Sequence, residues 1–273
     1  MGKIADALEK HKKETKIRAE TVSRPVEEPE VEPEEQPSKP LDKIPAPKWH
    51  SPKLVVLSAP ESMDAENFKV LRGQLLHGHD HEVPRTIMVT SAFPGEGKTF
   101  VASNLAASIA QGVDEYVLLV DCDLRRPSIH KVFGYSRGEG LYEYLTEKKA
   151  LPELLIRTKI KKLSFLPAGK VTRNPSELLS SRRMGEFLKE VRERYDDRFV
   201  IIDATPAQVT SEAHVLAKNV DGVLLVVMAQ KSPKRAIEKT IENIGKDKIL
   251  GVVFNGYSKA YRSYDKYYKK YYK

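Results

Sequence analysis

The fourteen residues from Thr86 to Thr99, Thr-Ile-Met-Val-Thr-Ser-Ala-Phe-Pro-Gly-Glu-Gly-Lys-Thr, leave this chain little choice of local structure. An apolar run rich in strand formers, Ile87 to Val89, leads into Pro94, Gly95 and Gly97. From Lys98 onward, Val101, Leu105, Ala106 and Ile109 recur on one helical face. Strand, glycine turn and helix in that order form the setting of a phosphate-binding loop, whose backbone N–H groups surround an anion at the positive end of a helix. The pattern reads Ala92-x-x-x-x-Gly97-Lys98-Thr99, with Ala92 where a Gly usually begins it; Ala also lets backbone approach closely. Lys98 adds a mobile charge for the outer phosphates, and the Thr99 hydroxyl suits a magnesium ion. A merely solvated turn would not require the flanking strand and helix.

Two further apolar runs end in carboxylates. Tyr116 to Asp121 continues as Asp121-Cys-Asp-Leu-Arg-Arg-Pro127, and Phe199 to Asp203 continues as Ala204-Thr205-Pro206. Continuous apolar runs of this kind are buried parallel strands, and ligands of open α/β sheets lie beyond the carboxyl ends of the strands. Asp121, Asp123 and Asp203 therefore join Lys98 as candidate catalytic residues, with Thr99, Asp123 and Asp203 as candidate magnesium ligands. A helix cap would explain Asp123 alone, but not two carboxylates flanking one residue at a strand end. Arg125 and Arg126 are expected to steady transferred charge or to bind a neighbour. Leu163–Pro167, Val223–Met228 and Leu250–Phe254 read as further strands. Helices are expected at Glu61–Leu76, as a pair broken at Pro152 within Gly138–Ile156, in Ser176–Tyr195 and from Pro233 to about Gly245. The fold class expected is α/β, a P-loop nucleotidase with a mostly parallel sheet and helices on both faces.

The 273 residues suit one such domain, 49–255, with tails. Residues 1–20 read as a short amphipathic helix, and residues 21–48 as a disordered linker in which six glutamates alternate with prolines between Glu27 and Glu35. No apolar run reaches the ~20 residues of a membrane span, and the start of the chain reads as neither a secretory signal nor a myristoylation site. The single cysteine, Cys122, fits a reducing compartment. His77-Gly-His-Asp-His81 reads as a polar loop with no ligand motif behind it. The net charge is +8, but residues 256–273 carry six Lys and Arg against Asp265, so the tail supplies +5 of it. That tail also holds seven of the twelve tyrosines: Tyr257, Tyr261, Tyr264, Tyr267, Tyr268, Tyr271 and Tyr272. It lacks the aliphatic residues of a core. Base stacking on nucleic acid, an interfacial membrane tail and a set of phosphorylation sites all remain open on composition.

Ser91–Thr99, Asp121–Pro127, Ile201–Pro206 and the tyrosine tail, in that order, resemble the bacterial tyrosine kinase family, of the soluble type that works with capsule and exopolysaccharide machinery. The resemblance spans about Glu61 to Lys273, and its first three segments match the family's Walker A, A′ and B elements. It implies ATP with Mg²⁺, held by Pro94, Gly95, Glu96, Gly97, Lys98, Thr99 and Phe100, with Asn255 on the adenine edge. It implies autophosphorylation in trans of the tail tyrosines. A tyrosine hydroxyl, with a pKa of ~10, gains from a nearby base, and Asp121 is the candidate for that base unless it exchanges roles with Asp123. The resemblance also implies a ring-like homo-oligomer, up to an octamer, organised by a Glu-x-x-Arg-x-x-Arg helix. Here that helix reads Glu66, Lys69 and Arg72, and Lys69 lacks the bidentate geometry of Arg. Thr205 stands where the family often has a second proline. A membrane-embedded polysaccharide co-polymerase is the implied activator, no nucleic acid is expected, and the location implied is cytoplasmic, at the inner face of the membrane through that partner. The alternative is a partner-activated ATPase of the septum-placement and partition type. Those proteins carry a lysine early in the phosphate loop, where this chain has Ala92-Phe93-Pro94.

Overall fold

The computed structural model describes residues 51–77, 83–147, 149–193 and 198–257. The expected helix at 1–20, the linker at 21–48, most of the His77–His81 loop and the tail beyond Tyr257 lie outside the described residues. Among the described residues, seven strands form one sheet: β1 (Thr86–Ser91), β2 (Tyr116–Asp121), β3 (Ile156–Arg157), β4 (Leu163–Leu166), β5 (Arg198–Asp203), β6 (Gly222–Met228) and β7 (Ile249–Asn255). Their order is β3-β4-β2-β5-β1-β6-β7, and every neighbouring pair is parallel except β3 with β4.

Side-chain alternation splits the core in two. Ile87, Val89, Val117, Leu119, Phe199 and Ile201 face helices α1 (Val55–Ser58), α2 (Met63–His77), α3 (Lys98–Ala110) and α4 (Ile129–Val132). Met88, Leu118, Val120, Val200 and Ile202 face α5 (Leu141–Glu147), α6 (Leu151–Leu154), α7 (Pro175–Leu179), α8 (Arg182–Glu193) and α9 (Glu212–Ala217). Helix α10 (Lys234–Ile244) links β6 to the edge strand β7. With helices on both faces, the central strands have no solvent side, which is why they read as continuous apolar runs. Among the described residues no helix is long and apolar enough to cross a membrane.

Two local expectations are corrected. Helix α3 does not bury a single stripe: eleven of its thirteen residues are buried. Helix α2 covers its outer side, with Phe68 set edge-on to Phe100 at 5.7 Å, and Ala102, Ala106, Ala107 and Ser103 let both neighbours come close. A helix enclosed on two sides loses its polar face. The break expected at Pro152 falls earlier, because Pro152 occupies the first turn of α6. First-turn N–H groups have no acceptor inside the helix, so proline is tolerated there.

Leu105 is fully enclosed between the sheet and the outer helix. Leu105→Ala is expected to cost about 2–5 kcal/mol in urea unfolding of the full chain. A loss under about 1 kcal/mol would mean that α3 is not clamped from both sides.

Candidate active site

Register brings the strand ends together. Val89 of β1 and Asp121 of β2 both lie opposite Asp203 of β5, and the Cys122 N–H donates to the Asp203 carbonyl at 2.9 Å. The phosphate loop leaves β1 at this point. Because β1 connects to one side of the sheet and β5 to the other, the crevice is a topological switch point.

The loop owes its shape to two left-handed residues, Gly95 (φ +81°) and Gly97 (φ +96°). A Cβ on Gly97 would also fall 2.0 Å from Asn255 Nδ2. The Glu96 side chain is buried and turned back into the protein. It accepts the Phe93 N–H at 2.8 Å and the Ser232 hydroxyl, while Asn255 Nδ2 donates to the Glu96 carbonyl at 2.9 Å. The loop is thus held open from behind by β7 and by the turn that follows β6.

Three carboxylates face this loop. Asp203 is 1 % exposed, and neither of its oxygens has a partner at good hydrogen-bond geometry, the Thr99 hydroxyl being the neighbour that reaches towards it. Burial raises its pKa to about 7; the Thr99 hydroxyl and the Lys98 charge pull it down, and Asp123 pushes it up. Asp121 is fully buried and accepts the N–H groups of Asp123, Ser128 and Ile129 at 3.0–3.2 Å. Burial, then the charge of Asp203, holds its pKa well above the usual carboxylate value. Asp123 is partly exposed and accepts the Arg126 N–H at 2.8 Å. The Cys122 thiol is pushed up by burial and by all three aspartates, which makes it a packing group. An unpartnered buried carboxylate beside a threonine hydroxyl and a lysine is the environment a magnesium-bound phosphate would satisfy.

Other candidate residues fall as follows. Pro94 and Gly95 are exposed at the mouth, while Lys98 is buried beneath the loop. The ring of Phe100 is spent on Phe68, which leaves its backbone for a ligand. Asn255 uses Nδ2 on Glu96 and Oδ1 on the Gly256 N–H, so its amide holds the loop. Glu66 and Lys69 pair with each other at 3.0 Å, and Arg72 donates to the Ser108 carbonyl at 2.8 Å. Tyr257 is 53 % exposed where the described chain ends; Tyr261, Tyr264, Tyr267, Tyr268, Tyr271 and Tyr272 lie outside the described residues. The sequence did not point to Ser128, whose hydroxyl donates to Thr99 Oγ1 at 3.1 Å, nor to Ser232 or Glu212. Nothing in their local patterns separates them from ordinary turn and cap residues.

A family model described as an AAA domain matches residues 84–249. Tyrosine-protein kinase YwqD of Bacillus subtilis (strain 168) is 34 % identical over 205 residues, which is 74 % of this chain and 85 % of YwqD. The chain belongs to the bacterial tyrosine-protein kinase family. The solved kinase domain of Escherichia coli tyrosine kinase ETK matches with a TM-score of 0.68 at 32 % identity, covering 78 % of this chain and 86 % of that domain. Against the whole tyrosine-protein kinase Etk of E. coli K12, the kinase spans 27 % of the length at 34 % identity. The septum site-determining protein MinD of Pyrococcus horikoshii, solved with Mg-ADP, is more distant. Its TM-score is 0.53 at 25 % identity, over 64 % of this chain and 72 % of that one.

The buried carboxylate gives the kinase a pH signature. Asp203 titrates near 3.8 when unfolded and about 7 when folded. Between those values the folded state binds more protons, so stability falls as pH rises and the loss is complete above about pH 7. Without nucleotide or magnesium, Asp203→Asn is expected to stabilise by on the order of 2 kcal/mol at pH 8 and by less than half of that at pH 5. Urea midpoints at the two pH values check this; equal effects at both would exclude the charge as the cause.

Proposed function

We propose that this kinase transfers the terminal phosphate of ATP to the tail tyrosines of a neighbouring copy, Tyr257, Tyr261, Tyr264, Tyr267, Tyr268, Tyr271 and Tyr272, and thereby regulates polysaccharide synthesis or export. The observation that carries the reading is the convergence of the phosphate loop with Asp121, Asp123 and the unpartnered Asp203 on adjacent strand ends. Phosphoryl transfer needs positioning and charge neutralisation more than covalent chemistry. In this reading the N–H groups of Gly95 to Thr99 hold the β-phosphate and Lys98 reaches the γ-phosphate. Thr99, Asp123 and Asp203 are the residues that would hold magnesium, directly or through water. When bound, magnesium neutralises charge on the phosphate oxygens. The Mg-ADP named for the MinD structure supports that cofactor pair for the fold.

A tyrosine hydroxyl has a pKa near ~10 and gains from a base. Asp121 suits that role. Its proton affinity is raised by burial and by Asp203, and three N–H donors use three of its roughly four acceptor positions. It is enclosed, so an incoming hydroxyl meets it only where the turn at 123–128 yields.

The tail then acts as an electrical switch. Seven phosphotyrosines at roughly −1.5 to −2 each would swing it from +5 to about −6 to −9. A tail docked on an acidic neighbour would be released once loaded, dispersing a ring-like homo-oligomer joined through Glu66, Lys69 and Arg72, with an octamer as its expected size. A membrane-embedded polysaccharide co-polymerase is the proposed activator and holds the kinase at the inner face of the membrane. The likeness to MinD keeps a partner-activated ATPase as the second reading.

Incubation with magnesium ATP and candidate activator segments, read by phosphotyrosine mass spectrometry, separates the two. Tail phosphate is expected on the parent and reduced by about 10²-fold or more in Lys98→Met. ATP hydrolysis with an unmodified tail would replace the kinase reading with the ATPase.

A further inference from the structure

The sheet does not by itself place Asp123. Strand pairing fixes the backbones of Asp121 and Asp203 against each other, but Asp123 lies two residues past the last ladder pair. It sits in a turn, 122–128, that leads to α4, while Asp203 opens the loop 204–211 that leads to α9. A side-chain link joins these two excursions. Arg125 Nε and Nη2 both donate to one oxygen of Glu212, at 3.0 and 2.8 Å. The Glu212 side chain is wholly buried in the first turn of α9, whereas that of Arg125 is 46 % exposed. Elsewhere the turn is held by the Thr172 N–H, which donates to the Leu124 carbonyl at 3.3 Å, and at its far end by Ser128, whose N–H donates to Asp121 and whose hydroxyl donates to Thr99.

We infer that Arg125 and Glu212 form a positioning strut that sets the spacing between Asp123 and Asp203 and so tunes how the site receives a magnesium nucleotide. The inference rests on those two carboxylates facing the metal. A carboxylate buried without its cation is strongly unfavourable. Loss of Arg125 therefore drives Glu212 and the start of α9 to rearrange, and the loop behind Asp203 moves with them. A guanidinium suits the task because its planar fork reaches one oxygen with two nitrogens, which an ammonium cannot reproduce. Arg125 touches neither phosphate nor metal in this arrangement; it acts through the loops that carry the ligands.

The test is equilibrium binding of a fluorescent ADP analogue to the full chain, in excess magnesium and in EDTA, beside thermal unfolding midpoints. The ratio of the two affinities reads what magnesium contributes. Arg125→Gln is expected to cut that ratio by about tenfold while leaving the EDTA affinity within about twofold, and Arg125→Lys to fall between parent and Gln. An unchanged ratio overturns the strut. So does a parallel fall of both affinities together with the unfolding midpoint, which marks a purely structural role. Should Arg125→Gln fail to fold, Arg125→Lys decides on the same ratio. A parent that binds magnesium ADP more tightly than ADP but never labels its tail would sink the kinase reading and leave the strut standing. A parent indifferent to magnesium sinks the strut.

Discussion

Parallel pairing of β2, β5 and β1 forces like charges together. With Asp121 directly across from Asp203 and the phosphate loop leaving the next strand, two fully buried carboxylates and a third close by share one end of the sheet. Their mutual repulsion and loss of water are visible in the raised proton affinity of both buried members. Such an arrangement is unfavourable on its own account. Lys98 offsets part of it, and a bound cation with its phosphates would offset the rest. The remainder of the molecule can be understood as what keeps this costly cluster from relaxing.

Rigidity comes from two directions. Helix α3, enclosed between the sheet and α2, fixes the helical end of the phosphate loop. From behind, Glu96, Ser232 and Asn255 tie the loop to the far edge of the sheet. That turn after β6 contains Gln230 at φ +63°, a conformation non-glycine residues rarely take, and its strain is the kind held at sites that must keep one shape. The same tie has a consequence for the acceptor. Asn255 touches the phosphate loop and Tyr257 follows two residues later, so the root of the tyrosine tail lies at the edge of that loop.

The helix expected to join copies is engaged inside its own chain. Glu66 pairs with Lys69, and Arg72 caps a carbonyl near the end of α3. The Arg72 contact serves the fold, because it satisfies one of the last carbonyls of α3, which has no partner within that helix. The Lys69 side chain stays 42 % exposed. An assembly through this face would have to keep the Arg72 contact and recruit the exposed ends of the other two.

Much of this was legible in the amino-acid order. Glycine at 95 and 97 was readable because left-handed backbone and close approach both exclude larger residues. Asp121 and Asp203 were readable because an apolar run that stops at a carboxylate leaves that carboxylate at a strand end. Short-range patterns carry such information, since strand, turn and helix propensities act over a few residues. The order could not reveal that α3 would be covered on both sides, that the Asn255 amide would bond the Glu96 carbonyl while the Glu96 carboxylate takes Phe93 and Ser232, or that Arg125 would reach Glu212 across 87 positions. Those pairings exist only after distant segments are brought into contact, where hydrogen-bond reach and burial, not local propensity, choose the partner. Sequence alone determined the phosphate loop and the strand-end acids; tertiary structure decided how they are held.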